Sequence, residues 1–159
     1  MLAAEAGPYL CARAAAARAE LATANGSQLS EWTYPTRGPP NQGSLAYRHW
    51  GYAHYGQFSK VGWQYLNGAC GKLSDGGTFV TLKSSGEDYS VIVETKNATN
   101  VQNLTCDISG GLSTRKLCIW RSDAAEQFVQ QPHITPKNGS FTIALEPKSI
   151  YSISTTTGH

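Results

Sequence analysis

A chain of 159 residues is the size of one domain and can bury about 70% of the surface that its unfolded form exposes. Its 13 basic and 11 acidic residues are scattered singly for a net charge of +2, so no basic patch of the kind that binds nucleic acid is expected. The apolar runs fall far short of the roughly 20 residues that span a bilayer, so no membrane span is expected either.

In chain order, residues 9–22 (YLCARAAAARAELA) are rich in helix formers, with Leu10, Ala14, Ala17 and Leu21 on one face. Asn25-Gly26 is a fitting end for that helix. Residues 1–25 are therefore expected to be a helical N-terminal segment. Residues 26–47, with Pro35, Gly38, Pro39, Pro40 and Gly43, have the composition of a linker or loop. From residue 48 to 158 the pattern changes to short alternating runs. Tyr52 to Phe58 is aromatic and alternating and is expected to be a strand. Trp63 to Leu66 restarts an extended run, with Trp63 and Tyr65 on one face and Trp63 expected in the core. Ser74-Asp75-Gly76-Gly77 is a strong turn signal, because Asp-Gly supplies the positive φ of a tight hairpin. Thr78–Lys83, Tyr89–Thr95, Gln102–Ile108 and Lys116–Arg121 are expected strands, with a short one near Phe128. Ser140–Glu146 and Ser149–Thr155 are expected to form the last hairpin, turning at Pro147-Lys148. About eight short strands at this spacing predict an all-β fold, an antiparallel sandwich or barrel with a short N-terminal helix.

Four cysteines, Cys11, Cys70, Cys106 and Cys118, lack the spacing of metal ligands. Cys106 and Cys118 fall on predicted neighbouring strands joined through Gly110-Gly111, and a disulfide between them is expected in an oxidising compartment. Cys11 and Cys70 are expected to stay unpaired. Four N-x-[ST] sequons, at Asn25, Asn97, Asn103 and Asn138, favour a secretory protein and mark candidate glycosylation sites. No signal peptide is read at the N-terminus, where Arg13 and Arg18 interrupt what would be its apolar core.

Several motifs follow one another along the chain. Ala53-His54-x-x-Gln57-Phe58 is followed by Gly62-Trp63-x-Tyr65-Leu66, Gly71-x-Leu73 and Gly76-Gly77-x-Phe79-Val80-x-Leu82. Val93-Glu94-Thr95, Gly139-Ser140-Phe141-Thr142-x-x-Leu145 and Ile150-Tyr151-Ser152-x-Ser154-Thr155-Thr156-Thr157-Gly158 complete the series. Over roughly residues 43–158 this order and spacing resemble the galactocerebrosidases, glycoside hydrolase family 59. The resemblance implies the β-sandwich that packs on a catalytic (β/α)8 barrel, without the barrel itself. It implies a role in galactosylceramide breakdown and sphingolipid catabolism, a lysosomal or secreted location, and a glycolipid substrate only in the context of the full enzyme. It also places both catalytic glutamates on the barrel, so no residue of this chain inherits their role.

The residues themselves point the same way. A retaining glycosidase needs two carboxyl groups about 5 Å apart. Glu5 and Glu20 lie on the expected helix and Glu31 in the linker, while Asp75, Glu87 and Asp88 sit in turns, where backbone reasons explain them. Glu94 ends a strand. No catalytic residue is expected here. His49 and His54 have no third ligand at zinc spacing, so neither a metal nor a cofactor is expected, and a hydrogen-bonded structural histidine is the favoured reading of His54. Ser44, Ser59 and Ser90 lack the setting of a nucleophile elbow. Tyr47, Trp50, Tyr52 and Tyr55 could line a sugar platform, although aromatic packing accounts for them more simply. Two functions of different class remain: the sandwich portion of a galactocerebrosidase-like hydrolase, inactive without its barrel, or a non-catalytic carbohydrate- or protein-binding sandwich.

Overall fold

The computed structural model describes residues 10–14 and 51–158. Within them the chain is a two-sheet antiparallel sandwich. The small sheet has the order β1-β6-β9, from β1 (Leu10–Ala14), β6 (Gln102–Ile108) and β9 (Ser140–Leu145). The large sheet has the order β2-β4-β5-β10-β7-β8, with the short β3 (Gly71–Lys72) also paired to β4. Its strands are β2 (Gln64–Tyr65), β4 (Thr78–Lys83), β5 (Tyr89–Glu94), β7 (Leu117–Ser122), β8 (Val129–Ile134) and β10 (Ile150–Ser154). The all-β sandwich read from the alternation is the fold observed.

The core lies between the sheets. Tyr89, Val91 and Val93 of β5, Leu117 and Ile119 of β7, and Tyr151 and Ile153 of β10 meet Leu104 and Cys106 of β6 and Phe141, Ile143 and Leu145 of β9. Each set holds alternate positions of its strand, as period-2 geometry requires of one face. The turn before β4 forms where Asp75-Gly76 predicts it. Gly76 and Gly77 have φ of +79° and +126°, and a Cβ at Gly77 would collide with the Glu94 carbonyl oxygen. Asp75 clasps this turn to the β5–β6 loop, accepting the backbone N–H groups of Asn100 (2.6 Å) and Thr99 (3.1 Å). These bonds hold its carboxyl below the usual carboxylate range.

Four expectations are corrected. Tyr52 to Phe58 is not a strand: residues 51–58 are helical and form helix α1. Residues Leu10–Ala14 are not helical but pair with β6 as an edge strand, so tertiary pairing overrides their helix propensity. The rest of the expected N-terminal helix, and the 26–47 linker, lie outside the described residues. Ser140–Glu146 and Ser149–Thr155 do not form a hairpin. β9 pairs β6 in the small sheet, whereas β10 sits between β5 and β7 in the large one. The connection between them crosses the sandwich and is tied by Thr95. Its hydroxyl donates to the Glu146 carbonyl (2.7 Å) and accepts the Ser149 N–H (2.9 Å). Its backbone N–H bonds the Ser149 carbonyl and its carbonyl accepts the Lys148 N–H, both at 2.8 Å.

The same crossing logic removes the expected disulfide. Gly110-Gly111 joins β6 of one sheet to β7 of the other, not two neighbouring strands. Cys106 points into the core with Leu104, while Cys118 alternates with Leu117 and Ile119 and so faces the outer side of the large sheet. No disulfide joins Cys106 to Cys118, and their side chains could meet only through the sheet. Cys70 is in no disulfide either. The Cys11 side chain lies outside the described residues.

Candidate functional site

The outer face of the large sheet is the most elaborate surface described. Helix α1 lies on it. The sequence spacing that builds this helix is His54, Tyr55 and Phe58: the i, i+4 pair His54 and Phe58 is buried and Tyr55 is half-buried beside them. The Ser59 hydroxyl closes the last turn by donating to the Tyr55 carbonyl (2.7 Å), and Gly62 leaves the helix with φ of +93°. Phe58 packs with Leu82 and Ile92, and around them gather Trp63, Val80, Trp120, Phe128 and Ile150. Trp120 stacks on Phe128 with ring centroids 4.9 Å apart. Trp63 thus packs on this second cluster, half-buried, rather than in the core between the sheets. Tyr65, expected on the same face, is 55% exposed.

His54 is fully buried at the centre of the contact. Its Nδ1 lies 2.7 Å from the Ser152 hydroxyl of β10, and its Nε2 lies 2.8 Å from the Ser122 hydroxyl of β7. Ser152 in turn donates to the His54 carbonyl (3.1 Å), and the Phe128 N–H donates to Ser122 Oγ (2.8 Å). The ring meets Phe128 edge-on at 5.0 Å. Burial pushes the imidazole pKa down from 6.5 to about 4, so the ring is neutral at pH 7. Two serines flanking a histidine could read as a nucleophile and base. Here both hydroxyls are buried and committed to bonds within the fold, so the arrangement is a clip holding α1 to the sheet.

The carboxylates are spread over separate clasps. Glu94 accepts the Thr78 hydroxyl and the Lys96 N–H, each at 2.9 Å. Asp88 pairs with Arg115 at 2.7 Å and accepts the Thr155 hydroxyl at 2.9 Å. Asp123 pairs with Arg121 at 3.1 Å and caps the turn through the Ala125 and Glu126 N–H groups. The backbone bonds and Arg121 keep its carboxyl low. Glu126 reaches the same Arg121 at 3.2 Å. Glu5, Glu20 and Glu31 lie outside the described residues. Among the described residues no group of three or more His, Cys, Asp and Glu side chains converges in a way that could hold a metal ion.

The other candidates fall apart spatially. Tyr52 is 77% exposed on α1 while Tyr55 is half-buried in the packing, and Tyr47, Trp50, His49 and Ser44 lie outside the described residues. Ser90 is buried and bonded to the Ser154 hydroxyl at 2.7 Å. Of the sequon asparagines, Asn97, Asn103 and Asn138 are exposed, Asn138 at a left-handed turn with φ of +52°; Asn25 is outside the described residues. Two open grooves follow the edge where β8 and β9 part. One, of about 340 Å³, runs along Ile134, Lys137 and Phe141. The other, of about 290 Å³, is lined by Arg121, Gln131, His133, Glu146 and Tyr151. The α1 docking surface is what the sequence reading missed, although the 54-55-58 spacing carries its signal.

No protein-family model matches the chain. Over 129 residues it is 30% identical to the galactocerebrosidase of Salmo salar, a match that takes in 67% of this chain and 19% of that protein. Among solved structures, a family 44 endoglucanase from Clostridium thermocellum superposes with a TM-score of 0.50 at 16% identity, over 70% of this chain and 23% of that one. A family 30 endoxylanase from Clostridium papyrosolvens C71 gives a TM-score of 0.45 at 16% identity, over 51% of this chain and 20% of that one. The endoglucanase likeness is one of fold. The galactocerebrosidase match is one of sequence. The chain is a glycosidase-related domain and a relative of the galactocerebrosidases, spanning about one fifth (19%) of the length of the one it matches.

Proposed function

We propose that this chain is the β-sandwich portion of a galactocerebrosidase-like glycoside hydrolase, and that it supports a catalytic (β/α)8 barrel carried on the same or a neighbouring polypeptide. The sandwich domain is taken as residues 48–158. The reaction served is the breakdown of galactosylceramide in sphingolipid catabolism, in a lysosomal or secreted setting. The observation that carries this reading is the sequence match to galactocerebrosidase over 67% of the chain. The distribution of carboxylates agrees with a supporting role. Cleavage of a glycosidic bond needs an acid and a nucleophile held on one rigid frame, and Asp75, Asp88, Glu94 and Asp123 serve as turn caps and ion pairs in separate places. Asn97, Asn103 and Asn138 are the proposed glycan carriers among the described residues, and Asn25 completes the set from sequence.

The test uses the purified chain with a fluorogenic β-galactoside at acidic pH. No turnover above the buffer blank is expected. Turnover that survives re-purification and disappears on mutating one of the chain's own carboxylates would overturn the reading. In a second arm, the chain is co-expressed with the barrel of a galactocerebrosidase; co-purification at a fixed ratio is expected. The other reading, a non-catalytic carbohydrate- or protein-binding sandwich, draws on the groove in which Arg121, Gln131, His133 and Glu146 stand among apolar residues such as Ile119, Ile143 and Tyr151. It predicts binding to immobilised oligosaccharides that is lost on Arg121→Ala.

A further inference from the structure

We propose that His54 is an acid-released latch: a second proton on its ring frees helix α1 from the large sheet. The hydrogen bonds around the ring admit one consistent assignment of protons. Phe128 N–H donates to Ser122 Oγ, so the Ser122 hydroxyl is free to donate its own proton to His54 Nε2. Ser152 donates to the His54 carbonyl, so its oxygen accepts from His54 Nδ1–H. Every donor and acceptor in the chain Phe128–Ser122–His54–Ser152 is then used, and the ring is held as the neutral Nδ1–H tautomer.

A proton added at Nε2 would face the Ser122 O–H head-on. Ser122 Oγ can accept Nε2–H only by turning its own proton away from the ring, which strips that buried hydroxyl of its acceptor. The charge would also sit in an apolar setting, against the Phe128 ring and beside Phe58.

The neighbouring titratable groups do not offset it. On β7, Arg121 lies on the inner face by alternation, paired with Asp123 and Glu126, and Asp123 also caps its own turn. Cys118 shares the outer face but sits opposite Ser154, away from Ser122. On β10, Tyr151 points into the core, where it accepts the Glu146 N–H. On α1 itself Tyr55 is a phenol kept neutral by burial and by Tyr65, and Lys60 lies beyond the helix end.

The sign follows from linkage. Burial holds the docked imidazole down to about 4, while the undocked ring titrates at its ordinary 6.5. The undocked form therefore binds the extra proton between those values. Docking is tightest above pH 6.5, weakens as the pH falls and reaches its minimum below about 4. Between pH 8 and pH 5 the opening constant of α1 is expected to rise about 30-fold.

The experiment is done on the full chain, labelled with 15N. A long-range 1H–15N spectrum at pH 7.5 is expected to show His54 as the Nδ1–H tautomer. On titration its ring should protonate at least one pH unit below the ordinary imidazole value of 6.5. Amide exchange over residues 51–58, corrected for the intrinsic rate, should open with falling pH while the amides of β5 and β10 do not. An Nε2–H tautomer, a His54 that titrates at the ordinary 6.5, or an α1 opening constant flat with pH would each overturn the latch. His54→Gln should flatten the pH dependence whatever its absolute opening; an unchanged rise would assign the effect to another group. If that variant does not fold, Ser122→Ala removes the donor to Nε2 and should move the His54 titration upward, and an unmoved titration overturns the proposal.

Discussion

The two outer faces of the sandwich are built on opposite plans. On the small sheet, β9 alternates cleanly: Phe141, Ile143 and Leu145 are buried while Thr142 and Ala144 are exposed. Its polar face is stitched across strands by the Thr105–Thr142 hydroxyl pair at 2.8 Å. On the large sheet, β5 and β10 are buried on both sides. Val91 and Val93 go to the core, while Ser90, Ile92, Ser152 and Ser154 go to the outer face. That outer face carries α1 and, with Gly158 packed close to the Phe58 ring, the C-terminal tail. The lesson is about the hydrophobic pattern. Period-2 alternation marks a sheet with water on one side, and a strand covered on both sides loses it. Its covered outer positions need not all be greasy: beside Ile92 they include serines, and Ser152 and Ser122 are small enough to let the helix approach and hydrogen-bond to it.

The comparison can be broken most forcefully between the sheets. Ile153→Ala truncates a fully buried side chain of the central strand β10 and should cost about 2–5 kcal/mol. A guanidinium melt that loses less than 1 kcal/mol would show that the inner face is not the load the fold rests on. Trp63→Ala acts on the outer side, where the indole is half-buried beside Phe58. The expected loss is about 1–2 kcal/mol, below the range for a fully buried Trp. A loss as great as that of Ile153→Ala would make the outer cluster a second full core. Tyr89 lies wholly inside, and its hydroxyl finds no hydrogen-bond partner among the described residues. Burial drives its pKa upward, so it stays protonated and orphaned. Tyr89→Phe should therefore raise stability by about 1 kcal/mol, read as an increase in thermal midpoint. A fall instead would mean that the hydroxyl is satisfied in solution. On the small sheet's outer face Thr105→Val should move stability by no more than about 0.5 kcal/mol, because water can replace the lost Thr105 hydroxyl as the partner of Thr142. A change of 2 kcal/mol there would mean that this face, too, is covered.

Much of the sandwich was readable before any coordinates. β4 and β6 begin and end where the alternation places them, at Thr78–Lys83 and Gln102–Ile108. The Asp75-Gly76-Gly77 turn forms for the backbone reason that predicts it. The candidate site was less readable. His54 was identified as a hydrogen-bonded histidine, but neither of its partners was: Ser122 and Ser152 lie 68 and 98 residues away, and no local pattern marks a serine that will meet a ring so far along the chain. The aromatic run 52–58 looked like a strand because over seven residues a helical and an alternating aromatic pattern overlap. Burial of His54 and Phe58 on one side decided for the helix.

What the sequence determined by itself was local: which runs alternate, where glycine must turn the chain, and the ordered motifs shared with galactocerebrosidases. What only the tertiary structure decided was pairing across distance. Cys106 and Cys118 are 12 positions apart, yet the crossing from β6 to β7 puts them in different sheets and on faces that never meet. β9 and β10 are joined by a four-residue connection that looks like a hairpin turn, yet Thr95 ties that connection into an arch and each strand finds its partners elsewhere. The physical reason is common to both. Strand alternation is a property of the nearest neighbours along the chain, whereas the sheet a strand joins depends on which two apolar faces close over one another, and that is settled by burial among residues far apart in sequence.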